Sequence, residues 1–524
     1  MTATIGKITY TTTGVDMNLF HAEFDKALAK VRAGIGKTHP LYLDGQAVTP
    51  AGEPIVDRSP IDTSVVLARF GAGRAEHVDI AVRAARKAQA AWSGIGWAKR
   101  LVIMRRAAAL IRERRFELAA LMSMEVGKNR MESIGDAEEA ADLIDYYAQQ
   151  MEDANGFVRP MHNLTPIERN VDVLRPYGVF ACIAPFNFPL ALAAGMSSAA
   201  LIAGNAVVFK PATDTCWTGL KLYEVYRDAG VPAGVIHFLT GQGADIGDPL
   251  WQHPGVDGVV FTGSKDIGMR IFHGLSGNFV KPCLMELGGK NATIVMPSAD
   301  IDAAAEGAMK SAFGLQNQKC SATSRVYVHE AVAAAFTEKL LAKTAAISMG
   351  DPTERDVWFG PVINERAMAR FLGVVEEARR TGTILTGGGR LSGGLFDKGH
   401  FAAPTIAMLP LESRLFQEEF FVPFLALGAV DSLDQAIAEA NRSDLGLTAG
   451  FFSKDQAEID RFFETIEAGV CYVNKRSGAT TGAWPGSQPF CGWKGSGSTG
   501  KGGCGPYYLQ QFMREQSRTV ITAD

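Results

Sequence analysis

The strongest constraint on this chain lies between Gly178 and Gly289. There, short β-branched runs (GVFACIAP, NAVVFKP, VIHFLTG and DGVVFTG) alternate with helical runs. Strand–helix–strand alternation at these lengths predicts a parallel, doubly wound sheet, because parallel neighbours need a crossover and not a hairpin. Residues 290–475 repeat the style. NATIVM, SRVYVH, TILTGG and FLALGAV read as strands, with AAAEGAMKSAF, VAAAFTEKLLAKTAA and ERAMARFLGVVEEARR as helices. A second α/β unit is expected there.

The flanks read differently. Residues 1–38 look like polar turns followed by an amphipathic helix from Asp16 to about Val31. Residues 39–75 carry short strands in LYLDGQAV and SVVLARF, and Ala75 to Gln150 is helical by its spacing of apolar residues. ERNVDVLRPYG alternates, as an extended strand or hairpin does. Residues 476–506 are rich in Gly, Ser and Thr, but they include Trp484, Phe490 and Trp493. Large aromatics suit an ordered, glycine-turned functional loop better than a linker.

Composition excludes several classes. The 524 residues suggest about three to four domains or subdomains at roughly 150 residues each. With 47 % hydrophobic and 21 % charged residues the chain folds rather than staying disordered. Lys plus Arg is 52 against 56 for Asp plus Glu, a net charge of −4, which argues against a nucleic-acid partner. From Arg175 to Lys210 no charge intervenes, long enough to span a bilayer. Pro185, Asn187, Pro189 and the Gly204-Asn205 turn break that stretch into a strand, a loop, a helix from about Leu190 and a second strand, Ala206–Lys210. Seven scattered cysteines without a CxxC pair, and no HExxH among the histidines, predict neither disulfides nor a metal site, and a reducing, cytoplasmic setting. The polar N-terminus does not read as a secretory signal. Glycine, at 56 residues against an average of about 7 %, anticipates turns and places where backbone approaches a ligand.

Three segments could carry chemistry. Gly241, Gly243 and Gly247 follow one predicted strand, and Gly263-Ser264 with Gly268 follow another. Either set serves as plain turn glycines or as a phosphate site at a helix N-terminus. Cys320 sits beside Lys319 between polar residues, where a cation favours the thiolate, whereas Cys182 lies in an apolar strand as a core thiol. Glu286 ends an apolar strand before Gly288-Gly289, where α/β active sites open, although a helix cap or surface charge reads equally well.

Six segments together resemble the NAD(P)-dependent aldehyde dehydrogenase superfamily, over residues from about 40 to 515. They are Pro185-Phe186-Asn187-Phe188-Pro189, Phe209-Lys210-Pro211-Ala212, Phe261-Thr262-Gly263-Ser264, Glu286-Leu287-Gly288-Gly289-Lys290-Asn291, Gln318-Lys319-Cys320-Ser321-Ala322 and Glu418-Glu419-Phe420-Phe421-Val422-Pro423. The resemblance implies an α/β fold with a Rossmann-type cofactor domain (1–157 and 178–288, including an N-terminal extension), an α/β catalytic domain (289–488) and a β oligomerisation flap with the anchor loop (158–177 and 489–524). It implies a homodimer at least, because the flap edge needs a partner. It makes Cys320 the nucleophile, Glu286 the base that activates water, and Asn187 an oxyanion donor with the Cys320 N–H. For the cofactor it implies Lys210 at the adenosine ribose, Gly263 and Ser264 near the pyrophosphate, Glu419 on the nicotinamide ribose and Phe421 against the nicotinamide. Ala184, Pro185, Phe186, Ala212, Thr213, Gly243, Gly247, Phe261, Thr262 and Leu287 complete the implied cofactor site.

Within the superfamily the chain resembles the 1-pyrroline-5-carboxylate dehydrogenases, which oxidise L-glutamate γ-semialdehyde. The Ser-Ala after Cys320, Thr481-Gly482-Ala483, Gln488-Pro489-Phe490 and Gly505-Pro506-Tyr507-Tyr508 carry that likeness. It implies that Ser321, Gly482 and Ala483 hold the substrate's amino-acid end, that Phe188 and Phe490 box its stem, and that Lys319 lies at the same site. The chain departs from the pattern at Asn317, Phe420, Val422 and Cys491. Trp484 and Pro485 add bulk to the anchor loop, which keeps another aromatic or carboxylated aldehyde as the alternative substrate. Thr213 replaces a ribose-binding glutamate, so NADP⁺ is expected to be accepted beside NAD⁺. A catalytically silent relative is disfavoured because Cys320, Glu286 and Asn187 are all present, and Glu286 argues against transfer of the acyl group to coenzyme A.

Overall fold

The computed structural model describes residues 6–9, 16–275, 277 and 279–522. The polar turns expected at residues 1–5 and 10–15 lie outside the described residues. Helix Met17–Arg32 begins where Asp16 caps it, accepting from the backbone N–H of Asn18 and Leu19. Its buried residues, Phe20, Phe24, Leu28 and Val31, recur at helical spacing on one face.

Two seven-stranded sheets dominate the fold. In the first, the strands run in the order Cys283–Glu286, Gly258–Thr262, Val179–Ile183, Ala206–Lys210, Ile236–Phe238, Leu41–Leu43 and Gln46–Val48. The first five are mutually parallel, and the last two form an antiparallel hairpin at the edge. In the second sheet, Thr405–Met408, Phe424–Val430, Thr323–His329, Asn291–Val295, Thr448–Phe452 and Val470–Val473 are parallel, with Thr383–Thr386 antiparallel at one edge.

The uncharged stretch resolves as its breakers dictate. Strand Val179–Ile183 is followed by helix Ala191–Ala203, then strand Ala206–Lys210. Gly204 stops the helix at φ +97, a left-handed conformation that glycine adopts without strain. Asn205 completes the turn, donating to Ala200 O at 3.2 Å and Phe512 O at 2.9 Å and accepting from Gly178 N at 2.8 Å. The helix is apolar because the core surrounds it; among the described residues no helix is long and apolar enough to cross a membrane.

A third, three-stranded antiparallel sheet stands apart from both. Strand Met513–Ile521 pairs with Glu168–Pro176 along its whole length, from Met513 opposite Pro176 to Ile521 opposite Glu168, and Val158–Pro160 adds the outer strand. Leu164, Val520 and Ile521 are exposed on it.

Candidate active site

A cavity of about 610 Å³ gathers residues from all parts of the chain, a volume usual for small-molecule sites. Thr262 and Glu286 reach it from the ends of two strands of the first sheet. Lys319, Cys320 and Ser321 reach it from the loop before strand Thr323–His329, and Gly482, Ala483 and Phe490 from the glycine-rich loop. Phe188 closes one wall. Every residue expected at the substrate site therefore faces one space.

The cysteine loop is built by backbone strain and two asparagines. Leu315, Gln316 and Asn317 take φ values of +47, +55 and +62, a left-handed run that costs most side chains about 1–2 kcal/mol per residue and asparagine less. This accounts for Asn317 at a position where glycine is the rule. Its amide also donates to Ala312 O at 2.7 Å and Thr323 O at 2.9 Å, tying the preceding helix to the following strand. Asn291 brackets the loop, donating to Cys320 O at 2.7 Å and Ala322 O at 2.8 Å while accepting from Thr448 N at 2.9 Å. Asn291 lies within a motif quoted above, but its bracing role has no local signal: its partners are remote in sequence.

The expectation that Lys319 would favour a Cys320 thiolate is corrected. Lys319 Nζ lies 2.5 Å from Glu132 Oε1, so its charge is spent on a carboxylate. Burial, with the Glu286 and Glu419 carboxylates adding to it, pushes the Cys320 thiol pKa well up. Cys182 is a fully buried core thiol.

Glu286 is half-buried, and its Oε1 accepts from Gly503 N at 2.6 Å. Burial raises its pKa to about 7, against the lowering effect of that hydrogen bond, which suits a base working near neutrality. Tyr147, unforeseen from sequence, lines the same cavity and accepts from Cys504 N at 3.2 Å.

Asn187 is buried in the turn between strand Val179–Ile183 and helix Ala191–Ala203, one residue from cavity-lining Phe188. Beneath this turn lies an ion pair that sequence reasoning missed. Lys128 Nζ is 2.6 Å from Asp136 Oδ2, and neither side chain is exposed. The ammonium lies 3.7 Å from the Phe188 ring centroid, and Asp136 Oδ1 accepts from Ala191 N at 2.7 Å. The pair thus holds the turn on the C-terminal side of Asn187, at Phe188 and at Ala191.

Most of the residues expected at the cofactor mark the ends of the five parallel strands of the first sheet. Ala184, Pro185 and Phe186 follow the strand ending at Ile183; Ala212 and Thr213 follow Lys210; Gly243 and Gly247 follow the strand ending at Phe238. Gly263 and Ser264 follow the strand of Phe261 and Thr262, and Leu287 follows Glu286. In open α/β sheets that edge is where ligands bind. A side chain on Gly263 would run into the Phe261 ring. Lys210 is buried and holds Pro211 O at 3.3 Å. Glu419 is half-buried, and desolvation raises its pKa to about 7. Its Oε1 accepts from Gly289 N at 2.9 Å, and a Cβ on Gly288 would strike the same carboxylate. Phe421 meets Phe186 edge-on, 5.8 Å between centroids. Among the described residues no group of three or more His, Cys, Asp and Glu side chains is placed to hold a metal.

The bulk expected of Trp484 in the pocket is not there. Its indole N–H donates to Asp142 Oδ2 at 2.7 Å, and the cavity wall at this point is Gly482 and Ala483. Cys491, where glycine is usual, has no positive φ to demand one.

The chain is similar to known proteins along nearly its whole length. It is 37 % identical over 504 residues to 1-pyrroline-5-carboxylate dehydrogenase 2 of Bacillus subtilis, covering 95 % of each chain. The solved structure of 1-pyrroline-5-carboxylate dehydrogenase from Thermus with bound NAD superposes with a TM-score of 0.92 at 33 % identity, over 99 % of this chain and 100 % of that one. Proline utilization A from Bdellovibrio bacteriovorus superposes with a TM-score of 0.91 at 34 % identity; it covers 96 % of this chain, which spans 52 % of that longer protein. The aldehyde dehydrogenase family model matches residues 48–518, and the chain belongs to that family.

Proposed function

We propose that this enzyme oxidises L-glutamate γ-semialdehyde to L-glutamate with NAD⁺, as the names of its relatives suggest. The observation that carries the reading is one cavity lined both by groups for the chemistry and by groups that could hold an amino-acid end. Cys320 and Glu286 form the first, Ser321, Gly482 and Ala483 the second, with Phe188 and Phe490 as apolar walls.

In this reading the Cys320 thiol gives its proton to Glu286, which passes it to solvent, as the sulfur bonds the aldehyde carbon and the carbonyl oxygen takes the negative charge. The Asn187 amide and the Cys320 N–H donate to it; losing one such donor costs about 3–4 kcal/mol. NAD⁺, when bound, supplies the hydride acceptor that turns the adduct into a thioester on Cys320. Glu286 then takes a proton from water, hydroxide adds to the thioester, the C–S bond breaks, and glutamate leaves.

The residues fit that cofactor. An ammonium with three protons and a 3.3 Å bond to Pro211 O keeps donors for ribose hydroxyls. The Glu419 carboxylate, already oriented by Gly289 N, is an acceptor for a second ribose. Thr213 lacks a carboxylate to repel a 2′-phosphate, so NADP⁺ is accepted as well. The division of the chain into cofactor (1–157, 178–288), catalytic (289–488) and flap regions (158–177, 489–524) follows. The exposed apolar flap residues support a homodimer at least. Free thiols among the cysteines fit a cytoplasmic enzyme.

Steady-state kinetics with glutamate semialdehyde, benzaldehyde and short aliphatic aldehydes, each with NAD⁺ and NADP⁺, tests the reading. Glutamate semialdehyde should have the highest kcat/KM. A higher value for another aldehyde overturns the substrate assignment and leaves the family chemistry standing.

A further inference from the structure

The anchor loop is glycine-turned; backbone bonds tie it down at Ala479 and Gly486, and side chains hold the stretch between them. Gly478, Gly482 and Gly486 all take positive φ, at +158, +93 and +76. On one side of the cavity-lining pair Gly482-Ala483, Lys475 Nζ holds Thr481 O. On the other side stands Trp484, whose indole N–H donates to Asp142 Oδ2 at 2.7 Å.

Asp142 is a junction. It projects from helix Arg130–Asp153, which also supplies Glu132, Glu139, Leu143 and Tyr147 to the cavity wall. Its Oδ1 accepts from Arg112 at 2.9 Å. Its Oδ2, besides the indole, pairs with Lys7, whose ammonium lies 5.5 Å from the centre of the Trp484 ring. Lys7 is held in place by its neighbour: Ile8 has no exposed surface and belongs to the core cluster that includes Leu143 and Tyr147. A segment near the N-terminus thus reaches the loop that lines part of the substrate cavity.

We propose that Lys7 and Asp142 are positioning residues for substrate selectivity. Together they pin Trp484, and so hold the backbone of Gly482 and Ala483 where the amino-acid end of the substrate binds. This rests on the reading of the substrate given above. The carboxylate fixes the indole by a charge-assisted hydrogen bond, the ammonium neutralises that carboxylate and packs on the indole face, and the anchored Ile8 brings the ammonium there. Without the pin the Gly482-Ala483 stretch keeps the Lys475 tie but loses the one at Trp484, so the substrate must supply part of its ordering, which raises KM and leaves the chemistry at Cys320 unchanged.

The test compares Trp484→Phe, Asp142→Asn and Lys7→Met with the parent enzyme. Each is assayed with NAD⁺ on glutamate semialdehyde and on propanal, which has no amino-acid end. Trp484→Phe keeps the ring and removes the donor, so it stands in if Asp142→Asn, which also strips Arg112 of a partner, folds poorly. The expected result is a KM for glutamate semialdehyde raised about tenfold, as loss of one hydrogen bond to a charged group predicts. Its kcat, and both constants for propanal, should stay near the parent values, and Lys7→Arg should restore the KM that Lys7→Met loses. Unchanged KM in the folded variants, or a parallel loss on propanal, overturns the proposal. If the parent enzyme does not prefer glutamate semialdehyde to propanal, the substrate reading falls and this proposal falls with it.

Discussion

Asp136→Asn separates what holds the fold from what positions the chemistry. Lys128 and Asp136 form an ion pair at 2.6 Å with no exposed surface on either side chain. Burial pulls the lysine pKa down and the aspartate pKa up, and each charge opposes the shift in the other. Asparagine keeps the shape and an oxygen for the Ala191 N–H, but leaves the ammonium without its counter-charge. Breaking a buried pair from one side costs about 3–5 kcal/mol. Deprotonation of Lys128, which burial already favours, avoids part of that cost but gives up the cation over Phe188 at 3.7 Å, an interaction of about 2 kcal/mol when desolvated. The turn bearing Asn187 then loses its clamp, and misplacing a catalytic donor by about 1 Å costs roughly 100-fold. We expect urea denaturation to show a loss of about 3 kcal/mol, and the pre-steady-state burst of NADH to slow by about 10- to 100-fold with NAD⁺ affinity retained. Lys128→Met/Asp136→Leu should regain most of the stability, because apolar replacements of a buried pair are often neutral. It should not regain the rate, because Ala191 N–H has lost its acceptor. A double variant as fast as the parent, or a destabilised Asp136→Asn with a full burst rate, would refute the positioning role.

Four further outcomes follow from the site. Cys320→Ala should abolish NADH formation while cofactor binding, followed by fluorescence, persists; substantial turnover would remove Cys320 as nucleophile. Glu286→Gln should let an acyl-enzyme accumulate, seen by mass spectrometry as added mass on Cys320, and in the parent deacylation should rise with pH through about 7 as Glu286 ionises. The same carboxyl predicts a stability trend. Its folded pKa is raised, so the native state binds the proton more tightly, and stability falls between about pH 4.5 and 7 by about 3 kcal/mol; a flat profile in Glu286→Gln but not in the parent would assign that slope to Glu286. Asn317→Gly should be milder than Asn317→Ala by about 1 kcal/mol in thermal or chemical denaturation, since φ is +62 there; equal losses would place the cost in the two amide bonds alone.

Much of the fold was legible because it is encoded locally. β-Branched runs make buried parallel strands, the Gly204-Asn205 pair stops a helix, and Asp16 starts one, each by interactions within a few residues. Cys320, Glu286 and the strand-end glycines were ambiguous by local pattern, and it was the family resemblance carried by six segments that singled them out. The pairings were not legible. Lys319 stands next to Cys320 in the chain yet spends its charge on Glu132, while Asp142 joins Lys7 to Trp484. Such contacts join residues tens to hundreds of positions apart, and no local period records them.

The same division explains the electrostatics. A chain's order of residues determines which groups can ionise and which backbone turns are tolerated, as at Asn317. Whether a thiol or carboxyl is charged depends on how much water and how many opposite charges surround it. Those surroundings exist for Cys320, Glu286 and Glu419 once the two sheets and the glycine-rich loop have closed over them. The candidates for nucleophile and base could thus be named from the sequence through its family resemblance, and their protonation, together with the contacts around them, was decided by the tertiary structure.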